Sequence, residues 1–293
     1  MQTEIGALSP GELAVLARVR LDVAAHLAAE AGAVEPALNG EKPDSTYRGK
    51  PFVLKLVCPG CPPAYVVRSR DGVLSAASGG ARPRQRGVSL TLRFLGAATC
   101  ARALSGGGGT PIPIPRGPGA LAALAYFRAA ASRAAGLIGD AAVPAPARAR
   151  MMAVAALRGL AAVGSTDAAL AQRLAHVPDG TVAVSAPGAF SLGIEKRTNS
   201  TEYRGSGARV SVTEASPERP NARLAFADAG AALAVLSGRR PAVVALGAGE
   251  VTVNGLLPLV QGMFAVLDRL AEYLAVSAPP VARAGGRPGT EKK

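Results

Sequence analysis

Two fifteen-residue segments of this 293-residue chain, 132 positions apart, align without a gap and coincide at six positions. The first copy runs from Leu92 through Phe94, Ala97, Leu104 and Ser105 to Gly106. The second runs from Leu224 through Phe226, Ala229, Leu236 and Ser237 to Gly238. The coincident residues share a physical sense. An aromatic residue ends an apolar strand, a two-turn helix packs its leucine back, and a glycine releases the chain. The order of elements around each copy also repeats. A period this long excludes a solenoid of small repeats. It implies two related α/β units in tandem, each ending in strand, short helix, strand and longer amphipathic helix.

Local signals place the elements. Ser9-Pro10-Gly11-Glu12 is a capping box that opens a helix. Leu13, Leu16, Val19, Val23 and Leu27 carry the helix on, and Gly32 reads as its stop. Residues 34–50 read as a loop. Strands are expected at 52–57, 64–70 and 88–94, with Asp71-Gly72 as a turn. A short helix follows at 96–105. Residues 110–115 alternate Ile and Pro, so they are extended but suited only to a sheet edge. A helix is expected over 117–137 and a linker over 141–149. In the second unit helices are expected at 150–163 and 166–176, with Ser165-Thr166-Asp167 as a cap. Strands follow at 181–185, 189–195, 208–213 and 222–226, then a helix at 228–236. Further strands are expected at 243–246 and 250–253, then a helix at 255–274. The domain reading is 1–140, linker 141–149, 150–275, and a disordered basic tail over 276–293.

Charge and cysteine usage narrow the function. The net charge is +13, from arginines scattered along the chain. There is no tryptophan, no basic stripe interleaved with aromatics and no zinc-finger spacing, so nucleic acid is not expected as a partner. The first reading is a soluble protein with a basic surface, and transient contact with an anionic membrane surface is the alternative. Residues 1–8 contain Glu4 and no basic start before an apolar run, and Arg128, Arg133 and Arg158 break the long Ala/Leu segments. The expectation is a cytoplasmic protein without a secretory leader or a membrane span. Three cysteines, an odd number, argue against an extracellular disulfide framework.

The second unit resembles the sterol carrier protein-2 (SCP2) family over roughly residues 150–275. The resemblance is carried by Ala222-Arg223-Leu224-Ala225-Phe226 and by the short helix closing on Leu236-Ser237-Gly238. It continues through Gly249-Glu250-Val251-Thr252-Val253-Asn254-Gly255 into Leu256-Leu257-Pro258-Leu259 and the last helix. The first unit resembles the family more weakly over 50–137. There Gly109-Thr110-Pro111-Ile112-Pro113-Ile114-Pro115 replaces the glycine-bracketed strand, which puts its ligand site in doubt. The resemblance implies a sheet of about five strands with helices on one face. It also implies an apolar tunnel for sterols, fatty acyl chains or similar lipids. Candidate lining residues are Phe226, Leu246, Val251, Val253, Leu256, Leu259, Val260, Met263, Phe264 and Leu267. Spacing of three or four from Leu256 onward makes the buried stripe of an amphipathic helix. Ordinary core uses the same residue types, and only shape separates the two.

Catalytic signals are sparse. Gly106 to Gly109 lacks the Lys-Ser/Thr of a phosphate loop, and neither G-x-S-x-G nor H-E-x-x-H occurs. His26 and His176 read as surface or partly buried helix residues. Cys58-Pro59-Gly60-Cys61 reads as a hairpin loop, with thiol chemistry as a minor alternative and no partners for a zinc site. The expected function is therefore non-enzymatic carriage of an apolar lipid without metal or cofactor. The alternative is a structural or interaction module that keeps the fold without a ligand.

Overall fold

The computed structural model describes residues 5–38, 51–69, 74–78, 89–105, 108–117, 119–199, 207–214 and 216–275. The turn expected at Asp71-Gly72 and the tail over 276–293 lie outside them.

The first unit runs α1 (Pro10–Leu38), β1 (Phe52–Val57), β2 (Ala64–Arg68), β3 (Leu74–Ala77), β4 (Leu90–Arg93), α2 (Ala97–Leu104), β5 (Ile112–Pro115) and α3 (Ala120–Gly139). The second runs α4 (Ala145–Thr166), α5 (Ala168–Ala175), β6 (Gly180–Ala186), β7 (Phe190–Asn199), β8 (Gly207–Thr213), β9 (Ala222–Phe226), α6 (Ala229–Leu236), α7 (Ala242–Gly247), β10 (Val251–Gly255) and α8 (Leu257–Ala275). The strands form two five-stranded mixed sheets, in the orders β3-β2-β1-β4-β5 and β8-β7-β6-β9-β10. In each sheet the first and fourth strands run parallel and every other pair is antiparallel.

The two sheets match residue by residue. Phe52↔Arg68 in the first answers to Gly180↔Lys196 in the second. Leu54↔Leu90 answers to Val182↔Ala222, and Leu90↔Pro115 to Ala222↔Gly255. Even the buried cation is shared, since Arg68 and Lys196 hold the same place. Lys196 donates to Asp179 Oδ1 at 2.7 Å, to Thr198 Oγ1 at 2.7 Å and to the carbonyl of Val177, just past the end of α5.

Helix α1 lies between the units. Ala17, Leu21, Ala25 and Ala28 pack on the first sheet, while Val15, Leu16 and Val19 enter the core of the second unit. A helix apolar on two faces is what a position between two layers requires. The order of layers is sheet, helices, helices, sheet, with α1 against α4 at the centre.

The capping box forms as read: Ser9 Oγ accepts from the Glu12 amide and the Ser9 amide donates to Glu12 Oε2 at 3.0 Å. Asp167 caps α5 through the amides of Ala169 and Leu170. Gly32 is not a stop, because α1 continues to Leu38. A Cβ at Gly32 would lie 2.3 Å from the Tyr126 hydroxyl, which donates to the Ala28 carbonyl. The glycine is there for close approach. Residues 243–246 are not a strand: Pro241 caps α7, and the strand slot beside β9 is filled by β10. Helix α4 begins at Ala145, inside the segment read as a linker.

The two glycines that bracket β10 differ. Gly249 has φ +74° with open space around it, whereas Gly255 has φ +96° and a Cβ there would meet the Asn221 carbonyl oxygen at 2.3 Å. Gly249→Ala pays only for its left-handed backbone, about 1–2 kcal/mol. Gly255→Ala adds a backbone clash and is expected to cost roughly 2–4 kcal/mol. Chemical denaturation of the two variants checks this order.

Candidate functional site

The helix-side face of the second sheet holds the residues expected to line a tunnel. Register sets Phe226 opposite Val251 and Leu224 opposite Val253 on that face. Phe226, Val251, Leu259, Val260 and Met263 are buried in one packed cluster with Leu233, Val266 and Leu270. Val253, Leu256, Phe264 and Leu267, with Leu224, are only half-buried against it. Leu246 does not join them: it sits on α7, exposed, because 242–247 form a helix outside the sheet. Nine of the ten expected residues therefore share one region, five as its floor and four along its margin.

The margin is uneven along α8. Its C-terminal half is pinned: Tyr273 donates to Asp167 Oδ2 at 3.1 Å, and Arg269 reaches Asp167 at 3.3 Å and Glu12 at 3.4 Å. The Arg269 pair with Glu272 adds a local tie. The neighbouring hydrogen bonds hold the Asp167 carboxyl below its usual range although burial opposes them. Leu270 packs where Gly159 of α4 leaves room, since a Cβ there would come within 2.9 Å of it. Among the described residues no side-chain hydrogen bond or ion pair ties down the first turns of α8, where Phe264, with Leu256 just before the helix, forms the margin. At the far end of β10, Arg240 pairs with Glu250 at 2.8 Å and fixes α7 to the strand.

The three cysteines gather in the first unit. Cys58 and Cys100 are buried, Cys61 is half-buried, and all three are free thiols. Cys58-Pro59-Gly60-Cys61 is a β-turn: the Cys61 amide donates to the Cys58 carbonyl at 3.1 Å and Gly60 has φ +76°. The second unit repeats this turn as Ala186-Pro187-Gly188-Ala189, with the Ala189 amide 3.1 Å from the Ala186 carbonyl and Gly188 at φ +67°. Alanine serves at both cysteine places, so the turn needs Pro and Gly but no sulfur. Hydrogen bonding to Cys100 and burial push the Cys58 thiol up to about 12, and hydrogen bonding to Cys58 and burial push Cys61 up. Raised thiols are poor nucleophiles at neutral pH. Among the described residues no group of three or more His, Cys, Asp or Glu side chains could hold a metal ion.

A polar stripe along α1 escaped the sequence reading. Arg18, Asp22 and His26, one turn apart, are all buried. Arg18 pairs with Asp22 at 2.9 Å and donates to the Pro62 carbonyl at 2.7 Å; His26 Nε2 is 3.4 Å from Ser78 Oγ. One turn further, Glu30 takes a two-pronged bond from Arg150 of α4 at 2.8 and 3.0 Å. Burial raises the Asp22 carboxyl to about 6, against the pull of Arg18 and Arg158. Burial and the same two cations lower His26 to about 3. His176, by contrast, is exposed at the end of α5. The i, i+4, i+8 spacing was visible, but burial of polar residues is set by the helix packed over them.

Among the described residues no single helix is long and apolar enough to cross a membrane. No family model matches the chain, and no curated protein matches its sequence.

Two outcomes follow. Cys58→Ala and Cys61→Ala are expected to cost about 1 kcal/mol or less each, and both thiols to resist a chromogenic disulfide reagent until the chain unfolds. Fast labelling of the native protein would contradict this. The second concerns pH. Below His26's ordinary value of 6.5 the unfolded chain gains a proton that the folded chain refuses, so stability falls with pH at about 1.4 kcal/mol per unit. Between about 6 and Asp22's ordinary 3.8 the folded chain alone protonates Asp22, so stability rises as pH falls. The two slopes cancel in that window. Comparison of denaturation at several pH values is expected to show Asp22→Asn losing stability, relative to wild type, as pH falls from 6 to 4. His26→Gln is expected to gain it.

Proposed function

We propose that the chain is a non-catalytic carrier of apolar ligands, in which an SCP2-like second unit takes a lipid chain between the first turns of α8 and the β9–β10 edge. The observation that supports this reading is the half-covered strip of Leu224, Val253, Leu256, Phe264 and Leu267, apolar throughout and continuous with a buried apolar floor. Completing the burial of such a strip with a hydrocarbon chain is favourable by about 0.8 kcal/mol per methylene. Few polar anchors are then needed, and the chemistry is burial alone, with no bond made or broken. A net charge of +13 suits transient contact with an anionic membrane from which such a chain would be drawn.

A second reading has its own support. Five of the residues expected to line a tunnel are packed together as core. On this reading the fold is an interaction module whose interior is closed.

Titration with an environment-sensitive fluorescent fatty acid separates the two. Carriage predicts saturable binding displaced by unlabelled fatty acid or sterol. Val253→Asp and Phe264→Asp, at half-buried places, are expected to weaken it at least about tenfold, the equivalent of fewer than two methylenes. Circular dichroism checks that both variants stay folded. Absence of saturable, displaceable binding overturns carriage and leaves the closed module.

A further inference from the structure

The match between the sheets isolates a feature of the first unit alone. Each sheet turns one face to the helices and the other away. On the outward face of the first sheet Thr91 is central and buried. Lys55 stands beside it on β1 and Ile114 beside it on β5. Arg93 lies two residues along β4, with Val57 at its side. In the other direction the Arg116 amide donates to the Ser89 carbonyl at 2.9 Å, which sets Arg116 on the diagonal. These residues, with Pro59 at the rim, line an open cleft of about 470 Å³.

Among the described residues no carboxylate pairs with Lys55, Arg93 or Arg116; the Lys55 ammonium lies 6.0 Å over the Tyr65 ring instead. The places of Lys55, Thr91 and Arg93 are held in the second unit by Ala183, Arg223 and Ala225, and the backbone position of Arg116 by Leu256, whose side chain packs on the core instead. The fold therefore does not need these cations. Three like charges around one cleft repel one another, and a multiply charged anion relieves that repulsion.

We infer that this cleft binds a phosphate-bearing ligand. Two guanidinium forks and an ammonium suit several oxygens on one centre better than a single carboxylate. The Thr91 hydroxyl adds a donor at the middle. Val57 and Ile114 give apolar walls for the rest of the molecule, so an ester fits better than a bare ion. The site shares no residue with the proposed lipid groove and does not depend on it.

The test is calorimetric titration of the full chain at low salt with glycerol phosphate, and co-flotation with phosphatidylcholine vesicles with and without phosphatidic acid. Saturable binding is expected, weakened about tenfold by Arg93→Gln and by Arg116→Gln, and unchanged by Arg223→Gln, which removes the same charge from the second sheet. A response to glycerol phosphate identifies a soluble phosphomonoester. A response to phosphatidic acid vesicles alone identifies a lipid headgroup. No saturable binding to either, an equal loss in Arg223→Gln, or binding to a polynucleotide alone overturns the assignment. The three arginines are exposed, and thermal unfolding verifies that each variant keeps its fold.

Discussion

The packing of α1 against α4 is the contact on which the rest of the molecule depends. Helix α1 belongs by sequence to the first unit, yet Val15, Leu16 and Val19 complete the core of the second. Its alanines keep it close to its own sheet: Ala17, Ala25 and Ala28 are fully buried there. A helix with two apolar faces cannot stand at a surface. The units are therefore halves of one body. The ionic stripe of Arg18, Asp22, His26 and Glu30 runs along this contact, where pairing offsets desolvation for the outermost pair, Glu30 with Arg150, more readily than for Asp22.

Repetition within one chain acts as an internal control on residue choice. Where the units agree, the fold requires the feature: the Pro-Gly turn, the buried cation on the second strand, the parallel pairing of first and fourth strands. Where they differ, the fold permits freedom. In the second unit eight extra residues between the short helix and the last strand form α7. In the first, prolines 113 and 115 alternate with the isoleucines of β5, an edge strand with one neighbour. The missing amides then face outward, where they block the addition of another strand.

Much of this was legible because it is local. Ser9 with Glu12 and Asp167 with Ser165-Thr166 announce helix ends by short-range hydrogen bonding, and the structure places them so. The repeat reported tandem units because strand and short helix are contiguous in sequence. What failed was non-local. Gly32 has the sequence signature of a helix stop, but Tyr126, almost a hundred residues on, explains it. Val243-Val244 has strand propensity, yet β10 already held the slot beside β9. Leu246 followed it out of the site. The burial of Arg18, Asp22 and His26 depends on a partner helix that no local pattern names.

The two sheets differ in their last strands and in what covers them. Residues from Leu256 to Phe264 carry no polar tie of the kind that Arg269 and Tyr273 give the other end of α8; they are held by apolar packing, with Gly262 so close to Val177 that a Cβ would meet it at 2.9 Å. The half-buried apolar residues gather beside that end of the helix, above an apolar edge. The equivalent edge of the first unit is stiffened by Pro113 and Pro115, which fix φ and reduce the freedom of the chain. A stiff edge suits fixed charges such as Arg93 and Arg116, because their relative positions then follow from strand register rather than from loop geometry. Half-buried apolar residues beside one sheet and a charged face on the other thus both go with the residues given to the last strand of each unit.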